Sequence, residues 1–441
     1  MSEEITIIGG GLAGSEAAWQ AANAGAKVRL IEMRGVKPTP VHVGDKLAEL
    51  VCSNSLKSNL LTNAAGLLKE EMRRLDSLIV AAGDASSVPA GEALAVDREL
   101  FAACITGKLE RHPNITIERS EVTTIDESRV HIIATGPLTS DALAAEVGRL
   151  TGQSQLFFYD AVAPTIDAST INREIAFPAS RYDKGDPAYL NCPFTKDEYQ
   201  AFYDALLQAE LAPLQEHESK VPYFEGCLPI EVLAGRGPKT LCFGPMKPVG
   251  LTDPRTGRWP WACLQLRQEN RAATLYSMVG FQTRMKWGDQ KRVFRLIPGL
   301  EDAEFVRYGV IHRNTYIQSP QVLDDTLQMR LYPNVFFAGQ ITGVEGYVES
   351  AATGILAGRN AARHLLGQPL LTLPNTTMLG ALTDYVAHYD GKDFQPMNSN
   401  WGIVPPLPDR VRDKKEKNGL LAERALAALE AELPTWGPVG D

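Results

Sequence analysis

The segment IIGGGLAGSEAAW, residues 7–19, restricts the fold more tightly than any other part of the chain. Before it, EITII (residues 4–8) has the unbroken, β-branched character of a strand buried on both faces. GGGLAGSEAAWQAANAG then reads as a turn opening an Ala-rich helix, and AKVRLIEMR as a second strand. Together they make a βαβ unit of about thirty residues. Gly9, Gly11 and Gly14 occupy the glycine positions of GxGxxG, with Gly10, Leu12 and Ala13 between them. The first glycine permits a tight turn, the second lets a pyrophosphate approach the backbone, and the third permits close helix packing. Glu32 ends the second strand, where a carboxylate can accept from a ribose hydroxyl. A glycine turn with no ligand is the competing reading, and the flanking strands with Glu32 weigh against it.

The chain is 441 residues long, enough for two or three domains, and its 44% hydrophobic and 22% charged residues suit an ordinary globular protein. It lacks an apolar run of about eighteen residues and begins without a basic leader, so neither a membrane span nor a signal peptide is expected, and the cytoplasm is the expected compartment. Six irregularly spaced cysteines make neither a disulfide framework nor a zinc pattern, and no metal is expected. A net charge of −9 argues against a sequence-independent nucleic-acid binder, DNA included, unless basic segments at 284–295 and 410–417 form a local positive rim. Taken alone, such charge runs are solvated surface.

Two later segments bear on which dinucleotide is bound. VHIIATGPL (130–138) is a strand ending in Ala134, Thr135 and Gly136; NVFFAGQITGVEGYVESAATGILAGRNAA (334–362) is a strand, a turn with Gly339 and Gln340, and a long small-residue helix. The pair resembles the return segments of glutathione-reductase-type flavoproteins. The implied class is α/β, an FAD-binding Rossmann fold of that type with an inserted α+β domain. A first FAD-binding part covers 1–155, an inserted substrate domain 156–325, the FAD-binding return 326–380, and a basic, Pro-rich extension 381–441. With no second GxGxxG, a nicotinamide would be a transient reductant.

AELVCSNS, GEALAVDRE, ATGPLTS, YLNCP, LCFGPMKPVGL, QLRQEN, GFQTRMKW, RYGVIHRNTY, FFAGQITGVEGYVESAATG and FQPMNSNWGIVPP occur in this order. By these segments the chain resembles, across essentially its whole length, the bacterial folate- and FAD-dependent tRNA uracil-5-methyltransferases. The resemblance implies methylation of carbon 5 of the T-loop uridine, with methylenetetrahydrofolate as carbon donor, FAD as redox cofactor and NADH or NADPH as co-substrate. The larger wobble-uridine flavoprotein, glucose-inhibited division protein A, shares the flavin segment but carries a long helical C-terminal domain. A small-molecule flavin oxidoreductase and a non-catalytic, RNA-binding flavoprotein are further alternatives.

Carbon 5 of uracil is a poor nucleophile until a thiolate adds to carbon 6, so the implied reaction requires a nucleophile and a base. The positions matching the family's two cysteines are Cys52, in AELVCSNSLKSN, and Cys227, in YFEGCLPIE. Cys52 is assigned as the nucleophile and Cys227 as the general acid or base, although the sequence also permits the reverse. Cys104 reads as helical core, Cys242 and Cys263 as strand packing, and Cys192 as structural. His312, after a strand-like run and before a turn, matches the imidazole that stacks on the folate pterin in the family. Arg313 and Asn314 are candidate partners of pterin or flavin, and Lys286 of the folate carboxylate or tRNA phosphate. A structural histidine and a surface lysine are the plainer readings. The target uridine must be turned out of the tRNA elbow to reach such a site.

Overall fold

The computed structural model describes residues 4–39, 41–153, 156–183, 186–212, 228–391 and 394–436. β1 (Glu4–Ile8), α1 (Leu12–Asn23) and β2 (Lys27–Glu32) form the βαβ unit read from the sequence. They belong to a five-stranded sheet ordered Val335–Phe337, His131–Ile133, β1, β2, Ile115–Arg119. Every pairing is parallel, with Ile7 opposite both Leu30 and Ile132. A parallel sheet covered on both faces requires apolar side chains on both, which EITII supplies.

The return helix, Tyr347–Leu365, lies against α1 with almost no side chain between the backbones. A Cβ at Gly354 would be 2.4 Å from the Ala13 carbonyl oxygen, and one at Gly358 would be 2.5 Å from that of Ala17. Arg359 of the return helix donates to Gln20 Oε1 of α1 at 2.9 Å; Gln20 in turn donates to Glu16 Oε1 at 3.0 Å. Glu16 Oε2 accepts from Ser77 and from Ile79 N, at the start of the helix Leu78–Ala85. Burial holds the Glu16 carboxyl above its usual range.

The inserted body has its own core beneath a six-stranded sheet ordered Phe177–Ala179, Tyr189–Phe194, Ala262–Gln268, Leu275–Met278, Thr165–Asp167, Phe305–Arg307. Its pairings are antiparallel. Leu156–Ala161 and Ile311–Tyr316 form an antiparallel ribbon at the two ends of the insertion. RYGVIHRNTY is therefore strand through Tyr316, where the sequence suggested a turn after His312. Met378–His388 and Lys414–Trp436 are helices whose Leu379, Leu382, Leu421 and Leu429 enter the core of the nucleotide-binding body. Buried Glu71 fixes the first of these helices by accepting from Met378 N at 2.7 Å and Leu379 N at 2.9 Å.

Close helix contact makes Gly358 intolerant of a side chain. Gly358→Val is expected to lower stability by about 1–3 kcal/mol or more, because the contacted atoms are backbone. Gly419→Ala, in the C-terminal helix where a Cβ meets nothing within 4 Å, is expected to raise stability by about 0.5–1 kcal/mol. Denaturant midpoints of the two variants test the contrast; a neutral Gly358→Val would show that the helices can separate.

Candidate functional site

A cleft of about 970 Å³, part of it open to solvent, follows the N-terminus of α1. Gly9 has φ +102°, and a Cβ at Gly14 would lie 1.8 Å from the Gly9 carbonyl oxygen, so both positions require glycine. A Cβ at Gly11 meets no protein atom within 4 Å; it would project into open space. The first backbone N–H groups of α1 have no partner within the helix and create a field that favours an anion. Gly9, Gly11, Leu12, Ala13, Glu32, Ala134, Thr135, Gly136, Gly339 and Gln340 all line this cleft. Gly10 contributes through its backbone, donating to Glu32 Oε2 at 2.8 Å. Glu32 also accepts from Arg34 N at 2.9 Å and from the Arg34 guanidinium at 3.2 Å. Burial pushes the Glu32 carboxyl upward, but Arg34 outweighs it and holds the group below its ordinary range, ionised. The cleft thus offers a cradle for a pyrophosphate and, at its far end, a carboxylate for a ribose.

The opposite end of the cleft reaches Val51 and Tyr347. Tyr347, the first residue of the return helix, accepts from Cys52 N at 2.7 Å and Ser53 N at 3.2 Å through its hydroxyl. Arg98, capped into its helix by Asp97, donates to Leu50 O at 2.5 Å and to Cys52 O at 3.3 Å. Its Nε donates to buried Glu269 of the inserted body at 2.5 Å. Burial pushes the Glu269 carboxyl up, yet Arg98 holds it below the usual range. Arg267 donates to Asn54 Oδ1 and Ser53 Oγ, both at 2.7 Å, and Arg307 to Val41 O at 3.1 Å. Arg98, Arg267 and Arg307 all lie within Coulombic reach of the Cys52 thiol. Cations of this kind favour a reactive thiolate.

The other described cysteines lack this setting. Cys192 and Cys263 are buried in strands; burial pushes the Cys192 thiol well up and the Cys263 thiol to about 12. Cys242 is in the short helix Thr240–Phe243, where the sequence suggested a strand, and Cys104 lies within the helix Arg98–Arg111 and packs against the core. Cys227 lies outside the described residues, as do the side chains of His312 and Arg313. The backbones of His312 and Arg313 pair with Asp160 and Tyr159. Asn314 is fully buried, and among the described residues neither polar atom of its amide has a hydrogen-bond partner. Lys286 is exposed and paired with Glu210 at 2.6 Å; Arg292 and Arg295 of the same segment pair with Asp289 and Glu304, and Lys414, Lys415 and Lys417 are exposed. Sequence reasoning missed Arg98, Arg267, Arg307, Glu269 and Tyr347, although the family-like segments GEALAVDRE, QLRQEN, RYGVIHRNTY and GYVESAATG contain them.

Fold and cleft together define a flavoprotein-type dinucleotide fold of the glutathione-reductase class, with a second body inserted beside the site. A crystal structure of Aquifex aeolicus GidA shares it, with a TM-score of 0.68 at 16% identity over 98% of this chain and 76% of that chain. Residues 4–369 match the family described as glucose inhibited division protein A. The protein named methylenetetrahydrofolate--tRNA-(uracil-5-)-methyltransferase TrmFO from Pelotomaculum thermopropionicum is 60% identical over 97% of each chain. Its namesake from Enterococcus faecalis is 58% identical over 97% of this chain and 98% of its own. The chain belongs to the TrmFO family of methylenetetrahydrofolate--tRNA-(uracil-5-)-methyltransferases.

Limiting iodoacetamide applied to the native protein should label Cys52 well before Cys192 and Cys263. Peptide mass spectrometry reads the order. Equal or earlier labelling of the two strand cysteines would contradict the arrangement of cations and burial described above.

Proposed function

We propose that this chain methylates carbon 5 of the T-loop uridine of tRNA, taking the carbon from methylenetetrahydrofolate. The observation that carries the reading is the Cys52 loop, held by Tyr347 and Arg98 next to a dinucleotide cleft that Val51 and Tyr347 line, and bonded to the inserted body through Arg267. The residues suit FAD: the backbone of Gly11, Leu12 and Ala13 would hold the pyrophosphate, and Glu32 the adenosine ribose, a group FMN lacks. Gly136, Gly339 and Gln340 line the same cleft and would hold the flavin portion of the cofactor. When bound and reduced, FAD supplies the reducing equivalents that turn a methylene into a methyl group. NADH or NADPH acts as transient co-substrate, in keeping with a single dinucleotide fingerprint.

In this mechanism Cys52 Sγ adds to carbon 6 of the uracil, and the electron pair of the 5,6 double bond moves onto the ring as an enolate. Carbon 5 then bonds to the methylene carbon as one carbon–nitrogen bond of methylenetetrahydrofolate breaks. Cys227 removes the proton from carbon 5, the second carbon–nitrogen bond breaks as folate leaves, and once the methylene is reduced to a methyl group, loss of the thiolate from carbon 6 restores the double bond. Arg98 fixes the Cys52 backbone, while the surrounding guanidiniums favour the thiolate. Asn314, with a buried amide lacking partners among the described residues, suits a hydrogen-bonding heterocycle, and His312 beside it is assigned to the folate pterin. Lys286 is kept as a contact for a folate carboxylate or tRNA phosphate, reached by exchange of its exposed pair with Glu210. Among the described residues no helix is long and apolar enough to cross a membrane, which fits an enzyme meeting tRNA in the cytoplasm.

Three tests follow from these assignments. Gly11→Val should yield largely colourless protein with the thermal midpoint of FAD-free wild-type protein, since its side chain meets ligand space and no protein atom; retained FAD would refute the cradle. His312→Ala should raise the KM for methylenetetrahydrofolate with FAD retained, and loss of the flavin would refute the folate assignment. T-arm RNA carrying 5-fluorouridine should trap a covalent adduct that Cys52→Ala abolishes and Cys227→Ala retains, because addition precedes proton removal. The opposite pattern reverses the two roles, and methylation surviving both substitutions removes the thiol mechanism.

A further inference from the structure

Around Cys52 the charges do not balance. Arg98, Arg267 and Arg307 face the loop, and Glu269 is the carboxylate in ion-pair contact with one of them, Arg98. Arg267 is held by three neutral side chains, Ser53, Asn54 and Ser277, and Arg307 by one carbonyl, that of Val41. Neither has a carboxylate in ion-pair contact among the described residues, and both are half-buried. A half-buried guanidinium without a counter-anion is a ready partner for an anion that arrives from solvent. The Cys52 thiolate neutralises at most one of the two surplus charges.

Geometry also gives the site an approach. Arg267, Arg307 and Cys52 are each partly exposed. Tyr308, next to Arg307, stacks at 5.3 Å and 13° on Trp287, which is 61% exposed. An aromatic face and a guanidinium without a carboxylate partner, carried by adjacent residues, are the two kinds of group an unstacked nucleotide uses: a surface for a base and a partner for its phosphate. Arginine is suited to this role because its planar fork binds two phosphate oxygens at once.

We propose that Arg307, with Arg267, is the binding site for an RNA phosphodiester, the one flanking the uridine presented to Cys52. This rests on tRNA being the substrate. The test uses FAD-loaded full-length protein and unmodified tRNA transcript, with filter binding across a salt series beside steady-state methylation. Arg307→Gln should raise the Kd and KM for tRNA by about ten-fold, and flatten the slope of log Kd against log salt by about 0.7, the share of one single-stranded phosphate. Arg307→Lys should restore the slope but only part of the affinity. FAD content reports that the variant has folded, and the KM for methylenetetrahydrofolate should stay at the wild-type value. An unchanged tRNA Kd and slope would overturn the inference, as would a rise confined to the folate KM, which would assign the site to a folate carboxylate. Wild-type protein that neither binds nor methylates tRNA would instead remove the functional reading on which the inference rests.

Discussion

The contact between α1 and the return helix fixes everything that matters in the nucleotide-binding body. Gly354 and Gly358 let the two backbones meet at Ala13 and Ala17, and a side chain at either glycine would occupy the space of a carbonyl oxygen. With the helices this close, the N-terminus of α1 and the N-terminus of the return helix open on one cleft. The first presents backbone N–H groups at Gly11; the second presents Tyr347, whose hydroxyl holds the Cys52 loop. The glycine turn of α1 and the Cys52 loop are thus set at a fixed separation by helix packing rather than by loop geometry.

The inserted body completes the site through charge. Glu269 reaches Arg98, Arg267 reaches Ser53 and Asn54, and Asn54 Nδ2 donates at 2.9 Å to Gln268 O across the same seam. Arg271 N donates to Asp97, the residue that caps the helix of Arg98. These are partly buried, mutually bonded groups, whose strength derives from low local dielectric. One seam therefore orders the Cys52 loop and surrounds it with cations.

The nucleotide-binding half was legible because its signals are local. A strand, GxGxxG, an Ala-rich helix and Glu32 follow one another within one short segment, and the small residues of the return helix announce close packing. The cationic cluster was not legible as such, since Arg98, Arg267 and Arg307 come from separate elements of two bodies and share no period. The helices of the C-terminal extension were less legible: basic and proline residues dominate the composition around Arg410, while the helix that follows exposes its charges and buries Leu421 and Leu429. Cys242 misled because TLCF, four residues long, is too short to show helical or strand alternation.

If the cleft, the thiol and the cations serve one reaction, the product is a single methyl group at one position of tRNA. Mass spectrometry of T-arm fragments from cells with and without this protein measures that directly, with cells fed serine labelled at the carbon that enters the folate pool. The account predicts labelled 5-methyluridine in the T loop when the protein is present, and unmodified uridine there when it is absent. The same 5-methyluridine in cells lacking the protein, or a methyl group derived from labelled methionine, would contradict it.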